Sequence, residues 1–235
     1  MRAARRVYVR IEYALNTANR RLVIEIGDAL GVGPSYVEVM KIRIATLAFL
    51  ALAFPAQAEK IPLANLSAYL NSLTTVQADF TQINADGSIS TGKISIRRPG
   101  RVRFEYAPPD DSLVLAGAGT VAIFDAKSNQ PPEQYPLSRT PLNLILAENV
   151  DLGRANMVVG HTEVDNTTRV KAQDPAHPEY GSIEMVFTAN PTELRQWVIT
   201  DDTGSETTVI LGELSKGMKF PGSTFSIVAE TDKRK

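Results

Sequence analysis

The chain has 235 residues, 43% of them hydrophobic and 22% charged, with no cysteine and a formal net charge of −1. That size fits one large or two small globular domains, and the missing cysteine excludes disulfides, thiolate metal sites and cysteine nucleophiles. Eight of the 25 Lys and Arg but only four of the 26 Asp and Glu precede Glu59, so residues 59–235 carry 17 basic and 22 acidic groups, a net of −5 that lacks the basic footprint of a nucleic-acid binder.

Residues 1–39 carry no motif. Val23, Ile24, Ile26 and Leu30, followed by Gly31, suggest a short helix there. From Met40 the pattern changes. Lys41 and Arg43 form a positive start, Ile44 to Phe54 an apolar core, and Ala56-Gln57-Ala58 a small-x-small cleavage site after the helix-breaking Pro55. This is the pattern of a bacterial signal peptide over 40–58, with an apolar run too short to span a bilayer. Cleavage is expected after Ala58. Because such a peptide normally begins a chain, the simplest reading starts translation at Met40 and treats residues 1–39 as a mis-assigned extension.

After Pro62, the row Leu63, Leu66, Leu70, Leu73 has helical spacing and predicts an amphipathic helix packed on a sheet. Val76, Ala78 and Phe80 alternate with polar residues as a strand. Asp86-Gly87 marks a turn, and Ser88 to Arg97 returns as the second strand of a hairpin. Within Arg97-Arg98-Pro99-Gly100-Arg101-Val102-Arg103-Phe104-Glu105-Tyr106, the residues Val102, Phe104 and Tyr106 face one side of a third strand, and Arg101, Arg103 and Glu105 the other. In the strand before it, Ile94, Ile96 and Arg98 share a face, so an arginine ends an apolar row, while parity puts Arg97 on the opposite face. A guanidinium there is costly unless it reaches water or acceptors.

Ser112 to Ala116 and Val121 to Asp125 read as short strands, and Gln130 to Pro136, with three prolines, as a loop. Thr140-Pro141 opens a short, very apolar helix, Leu142 to Leu146, with Thr140 as N-cap. Irregular sequence on both sides suits a mobile cover. His161 to Gln173, Gly181 to Thr188, Leu194 to Thr200 and Glu206 to Leu211 each read as a strand, with a turn at Asp201 to Gly204. No linker or repeat interrupts residues 59–235, which are expected to form a single domain. The fold class is mainly β (α+β): an incomplete antiparallel β-barrel or curved sheet, with helices lidding its concave face.

Catalytic constellations are thin. His161 and His177 lack a second histidine at metal spacing, and His161 with Glu163 is a weak pair. The acid pairs Asp110-Asp111 and Asp201-Asp202 lie in turns, where Asp bonds its own backbone. Gly117-Ala118-Gly119 is no phosphate loop, since residue 122 is Ala and no Lys-Ser/Thr follows. No Gly-x-Ser-x-Gly elbow occurs. The chain therefore reads as a binder or carrier without catalytic residues, metal or cofactor.

Ala78-Asp79-Phe80-Thr81-Gln82 and Arg98-Pro99-Gly100-x-x-Arg103-Phe104-x-Tyr106, in this order after a signal peptide and an amphipathic helix, resemble the periplasmic outer-membrane lipoprotein carrier family (LolA type). The likeness is specific from Leu66 to about Asp125 and continues beyond it in strand rhythm. It implies an incomplete barrel around an apolar cavity that shields the acyl chains of lipoproteins. The implied partners are acylated lipoprotein cargo, an inner-membrane ABC-type release complex and an outer-membrane receptor; the carrier would be a periplasmic monomer. It further implies that Arg98 latches the lid over the empty cavity. The candidate lid is the 142–146 helix, with Leu142, Ile145 and Leu146 on the cargo. The candidate lining is Phe80, Ile94, Ile96, Phe104, Tyr106, Leu113, Leu115, Met185, Phe187, Trp197 and Ile199, although parity alone does not say which sheet face holds lipid. Two departures stand out: many members carry Trp where this chain has Phe104, and residues 1–39 are foreign to the family. A lipid- or lipoprotein-sensing regulatory domain is the alternative, and a hydrolase using His161 and Glu163 a third reading.

Overall fold

The computed structural model describes residues 8–12, 23–27 and 59–234, apart from 129 and 155. The chain forms two compact units, Met1–Ala56 and Gln57–Lys235. In the first, β1 (Tyr8–Glu12) and β2 (Val23–Gly27) pair antiparallel, with Ile11 opposite Ile24. The helix expected around Val23, Ile24 and Ile26 is thus a strand. Val-Ile-Glu-Ile alternates and is β-branched, which favours a pleated ribbon over a helical turn. The expected signal peptide, 40–58, lies outside the described residues.

The second unit opens with α1 (Leu63–Ser72). A single meander follows: β3 (Thr75–Ile83), β4 (Ile89–Arg97), β5 (Arg101–Tyr106), β6 (Leu113–Gly117), β7 (Thr120–Phe124) and β8 (Glu133–Pro136). After α2 (Leu142–Leu146) a second meander runs through β9 (Val158–Val164), β10 (Thr167–Gln173), β11 (Ser182–Thr188), β12 (Glu193–Thr200) and β13 (Glu206–Leu211). The two join where β13 pairs with β3, giving the order β8-β7-β6-β5-β4-β3-β13-β12-β11-β10-β9, all antiparallel. The short β14 (Ser215–Lys216) also pairs with β3. The sheet is open: β8 and β9 are its two edges. A 3-10 turn (Gly222–Phe225) and α3 (Ile227–Lys233) end the chain. Among the described residues, no helix is long and apolar enough to cross a membrane.

Three local expectations are corrected. Gln130 to Pro136 is not all loop, because Glu133–Pro136 pairs with β7, Tyr135 opposite Val121. A proline is tolerated there because β8 is an edge strand. His161 to Gln173 is not one strand but the hairpin β9–β10, turned at Asp165 and Asn166, whose φ values of 50° and 60° suit a two-residue hairpin turn. Thr140 does not cap α2. Its hydroxyl donates backward to the Leu137 carbonyl at 2.8 Å, and α2 has no side-chain cap.

Apolar side chains bury both faces of the sheet in part. On the concave face, Leu66 and Leu70 of α1 and Ile145 and Leu146 of α2 share one cluster with residues of β3, β4, β5 and β10 to β13. On the convex face, Phe225 with Phe220 and Ile227 covers Leu113, Leu115, Ala122 and Phe124 of β6 and β7. Gly117 permits this docking: a Cβ there would stand 2.2 Å from the Phe225 carbonyl oxygen. Arg103 holds the same segment through Glu230 at 3.1 Å, and Glu230 also accepts from Arg234 at 3.0 Å.

Candidate functional site

The concave face is built by register. Ile94 stands opposite Phe104 and Ala78, and Ile96 opposite Val102 and Val76. Across the sheet, Met185 faces Trp197, and Trp197 faces Val209. Phe80 packs edge-on against Phe104 at 5.5 Å and Tyr106 at 5.2 Å. Gly92 makes room for this stack, since a Cβ there would come 2.9 Å from the Phe80 ring and 2.1 Å from the Glu105 carbonyl oxygen. The Tyr106 hydroxyl donates to Gln82 Oε1 at 2.7 Å, and burial pushes its pKa up to about 12, so it stays a neutral donor.

The structure gathers Phe80, Ile94, Phe104, Ile145, Leu146, Met185, Phe187 and Trp197 in this buried cluster, with Ile96, Tyr106, Leu142 and Ile199 partly buried against it. Leu113 and Leu115 are not part of it, which corrects their assignment as lining. They stand opposite Glu105 and Arg103 and so face outward, beneath Phe225. An all-apolar strand carries no parity signal. The inward residues of β6 are Val114 and Ala116. Sequence reasoning also missed Ile183, which shares the face of Met185 and Phe187 two residues away, a spacing that would have found it.

Arg98 follows β4 and is held at both ends. Its backbone N–H donates to the Thr74 carbonyl at 2.8 Å. Its guanidinium donates to the Leu70 carbonyl and to Asn71 Oδ1 (3.0 Å) in the last turn of α1. It also donates to the Ala147 carbonyl (2.6 and 3.1 Å) and the Glu148 carbonyl (3.3 Å), just past α2. Carbonyls at helix C-termini have no intrahelical donors, and a cation there is favourable. Desolvation pulls the Arg98 pKa down, but a guanidinium remains charged. The neighbouring Arg97 points the other way and lies 5.1 Å from the Phe225 ring centroid on the convex face.

The segment after α2 is stitched to α1 as well. Asn71 exchanges two hydrogen bonds with the Val150 backbone, both at 2.9 Å, and Ser67 Oγ accepts from the Leu152 N–H at 3.0 Å. Gly100 N–H, in the turn that carries Arg98, donates to the Leu146 carbonyl at 2.8 Å. Beside α2 a cavity of about 600 Å³ remains on the concave side, within the roughly 300–1,000 Å³ of ordinary ligand pockets. Val114, Val121, Ile123, Tyr135, Leu142 and Ile199 form its apolar wall, and Glu133, Arg139, Asp201 and Asp202 its rim.

The weak catalytic pair does not converge. His161 Nε2 lies 3.0 Å from the Ile61 carbonyl oxygen, while Glu163 accepts from the Asn166 N–H in the β9–β10 turn. Among the described residues no group of three or more His, Asp or Glu could hold a metal ion.

Residues 71–228 match the profile of the family described as outer membrane lipoprotein carrier protein LolA. The chain belongs to this family. Three proteins called outer-membrane lipoprotein carrier protein are among its relatives. That of Methylococcus capsulatus is 34% identical over 37% of this chain and 44% of its own length. That of Chromobacterium violaceum is 24% identical over 74% and 86%, and that of Chromohalobacter salexigens 26% over 81% and 93%. Among solved structures, a LolA superfamily protein from Nitrosomonas europaea superposes with a TM-score of 0.40 at 9% identity, over 71% of this chain and 98% of its own. The LolA-family match takes in Arg98, α2 and the strands that form the concave face.

Proposed function

We propose that the protein is a periplasmic carrier that binds the acyl chains of lipoproteins on its concave face. It would accept them from an inner-membrane release complex of ABC type and deliver them to an outer-membrane receptor. The observation that carries this reading is the joint tie of both interior helices by Arg98. One polar side chain bonds to the ends of both helices over a largely hydrophobic sheet face, and its bonds are replaceable by water when the lid lifts. The family membership and the names of the relatives support the same role.

Transfer energetics give the reason for such a device. Each methylene shielded from water contributes about 0.8 kcal/mol, so long acyl chains need a protein cavity to cross an aqueous compartment. Release must then occur without ATP hydrolysis by the carrier itself. A cavity that its own helices partly fill when empty meets both demands, because closing competes with lipid. Leu142, Ile145 and Leu146 would be displaced on loading, and Ile94, Phe104, Met185, Phe187 and Trp197 would meet the chains. His161 and Glu163 take no part, and the chain acts as a binder, not an enzyme. The test is reconstituted transfer: the exported protein, loaded with an acylated lipoprotein, should pass it to outer-membrane receptor in the absence of ATP. Loading without onward transfer would favour a sensing domain instead.

A further inference from the structure

We propose that the indole N–H of Trp197 is the hydrogen-bond donor for the carbonyl of a bound acyl chain, and so fixes how deep that chain sits. This rests on the carrier reading above and adds a polar contact to it. Trp197 is the chain's single tryptophan and is only 1% exposed. Its Nε1 is fully buried and has no hydrogen-bond partner among the described residues. The side chains of its cross-strand neighbours, Met185 and Val209, offer no oxygen, and neither the Met185 sulfur nor any backbone carbonyl accepts from it. Phe104 stands perpendicular to it at 6.5 Å between ring centroids, an aromatic contact and at best a weak acceptor.

A buried donor without an acceptor is costly, and nearly all such groups in folded proteins are satisfied. Phenylalanine would fill most of the same space without that cost. The orphan donor makes sense if its acceptor arrives with the cargo. An acyl chain has one strong acceptor, the carbonyl of its ester or amide link, and the rest is hydrocarbon. The place along β12 fits. Ile199, two residues on and on the same face, forms part of the wall of the 600 Å³ cavity, and Asp201 and Asp202 stand at its rim. At about 3.3 Å per residue, Trp197 lies about 13 Å inside Asp201. A lipid entering there would leave its polar glyceryl end between the rim and Trp197. Its alkyl chain would run on past Leu194 and Phe187, which are opposed on β12 and β11.

The test compares an S-diacylglyceryl peptide with its dialkyl-ether twin, which lacks the ester carbonyls, both brominated on their chains. Bromine quenching of the Trp197 emission reports binding to the purified full chain. The ester form should bind roughly 2- to 10-fold more tightly, the range of one neutral hydrogen bond. Trp197→Phe should bind the two alike, read by displacement of a fluorescent fatty acid. Equal affinities in the wild type, or a preference that survives Trp197→Phe, would overturn the proposal. Independently of any variant, the carbonyl stretch of a 13C-labelled ester should move to lower frequency in the wild-type complex than in alkane, and an unshifted band would also overturn it. If neither twin quenches Trp197 or displaces the fatty acid, the carrier reading itself fails, and this proposal with it.

Discussion

The Arg98 guanidinium donates twice to the Ala147 carbonyl, from Nε at 3.1 Å and from Nη2 at 2.6 Å. Ala147 is the first residue past α2, so a strand end and a helix end are joined by one forked contact. The same fork reaches α1 through the Leu70 carbonyl and Asn71. Moving α2 therefore means breaking bonds to a charged donor, each contributing about 1.5–3 kcal/mol where shielded and less at this partly exposed site.

Arg98→Leu should loosen the closed state without removing the apolar face. Under the proposed role, loading with acylated lipoprotein should persist while onward transfer to the receptor falls by at least about tenfold, the effect of roughly 1.4 kcal/mol. Arg98→Lys should fall between the two, because an ammonium cannot fork. The readout is the ratio of loaded to transferred cargo. Normal transfer by Arg98→Leu would remove the latch.

Asn71→Ala should loosen the segment after α2, since it removes both bonds to Val150 and one acceptor of Arg98. A loss of about 1–2 kcal/mol in urea unfolding is expected. Hydrogen exchange should quicken at Val150 before it does in the strands.

Glu230 couples the C-terminal helix to pH. Burial raises its pKa, but the bonds from Arg234 and Arg103 outweigh this and leave it below the usual 4.5. A carboxylate depressed in the folded state adds stability above its unfolded pKa and loses it as pH falls through the folded value. The wild type should therefore lose more stability between about pH 5 and pH 3 than Glu230→Gln does. At pH 7 the variant should be the less stable of the two, because Arg103 loses an ionised partner. Urea midpoints of both proteins at the two ends of that range would show it.

Gly117→Ala should displace the C-terminal segment, because the new methyl would stand 2.2 Å from the Phe225 carbonyl oxygen. Limited proteolysis should then cut between Phe220 and Lys233 well before the sheet is attacked. Phe225→Ala should cost about 3 kcal/mol or more in stability, with little effect on the acyl binding proposed for the opposite face.

Much of the fold was legible because most strands bury one face and alternate cleanly. Parity alone put Ile94, Ile96 and Arg98 on one face and Arg97 on the other, and the packing of the helices shows which of the two is the inner one. Reading failed where both faces are covered. β6 is apolar at Leu113, Val114, Leu115 and Ala116 because α2 and the concave core lie on one side and Phe225 on the other. The C-terminal segment that makes this so showed no sequence signal strong enough to predict it. β8 was hidden by Pro131 and Pro132 just before it and by Pro136 at its end, which an edge position permits. The tie of Arg98 to Leu70 and Ala147 joins residues 28 and 49 positions away, a closeness that no local pattern encodes.

The most direct test of the central claim is native mass spectrometry of the purified protein, mixed with a triacylated lipoprotein or with the same lipoprotein stripped of its acyl chains. The account predicts a one-to-one complex with the acylated form alone, accompanied by a change in Trp197 emission. Equal binding of both forms, or no binding of either, would contradict a concave face built to shelter acyl chains.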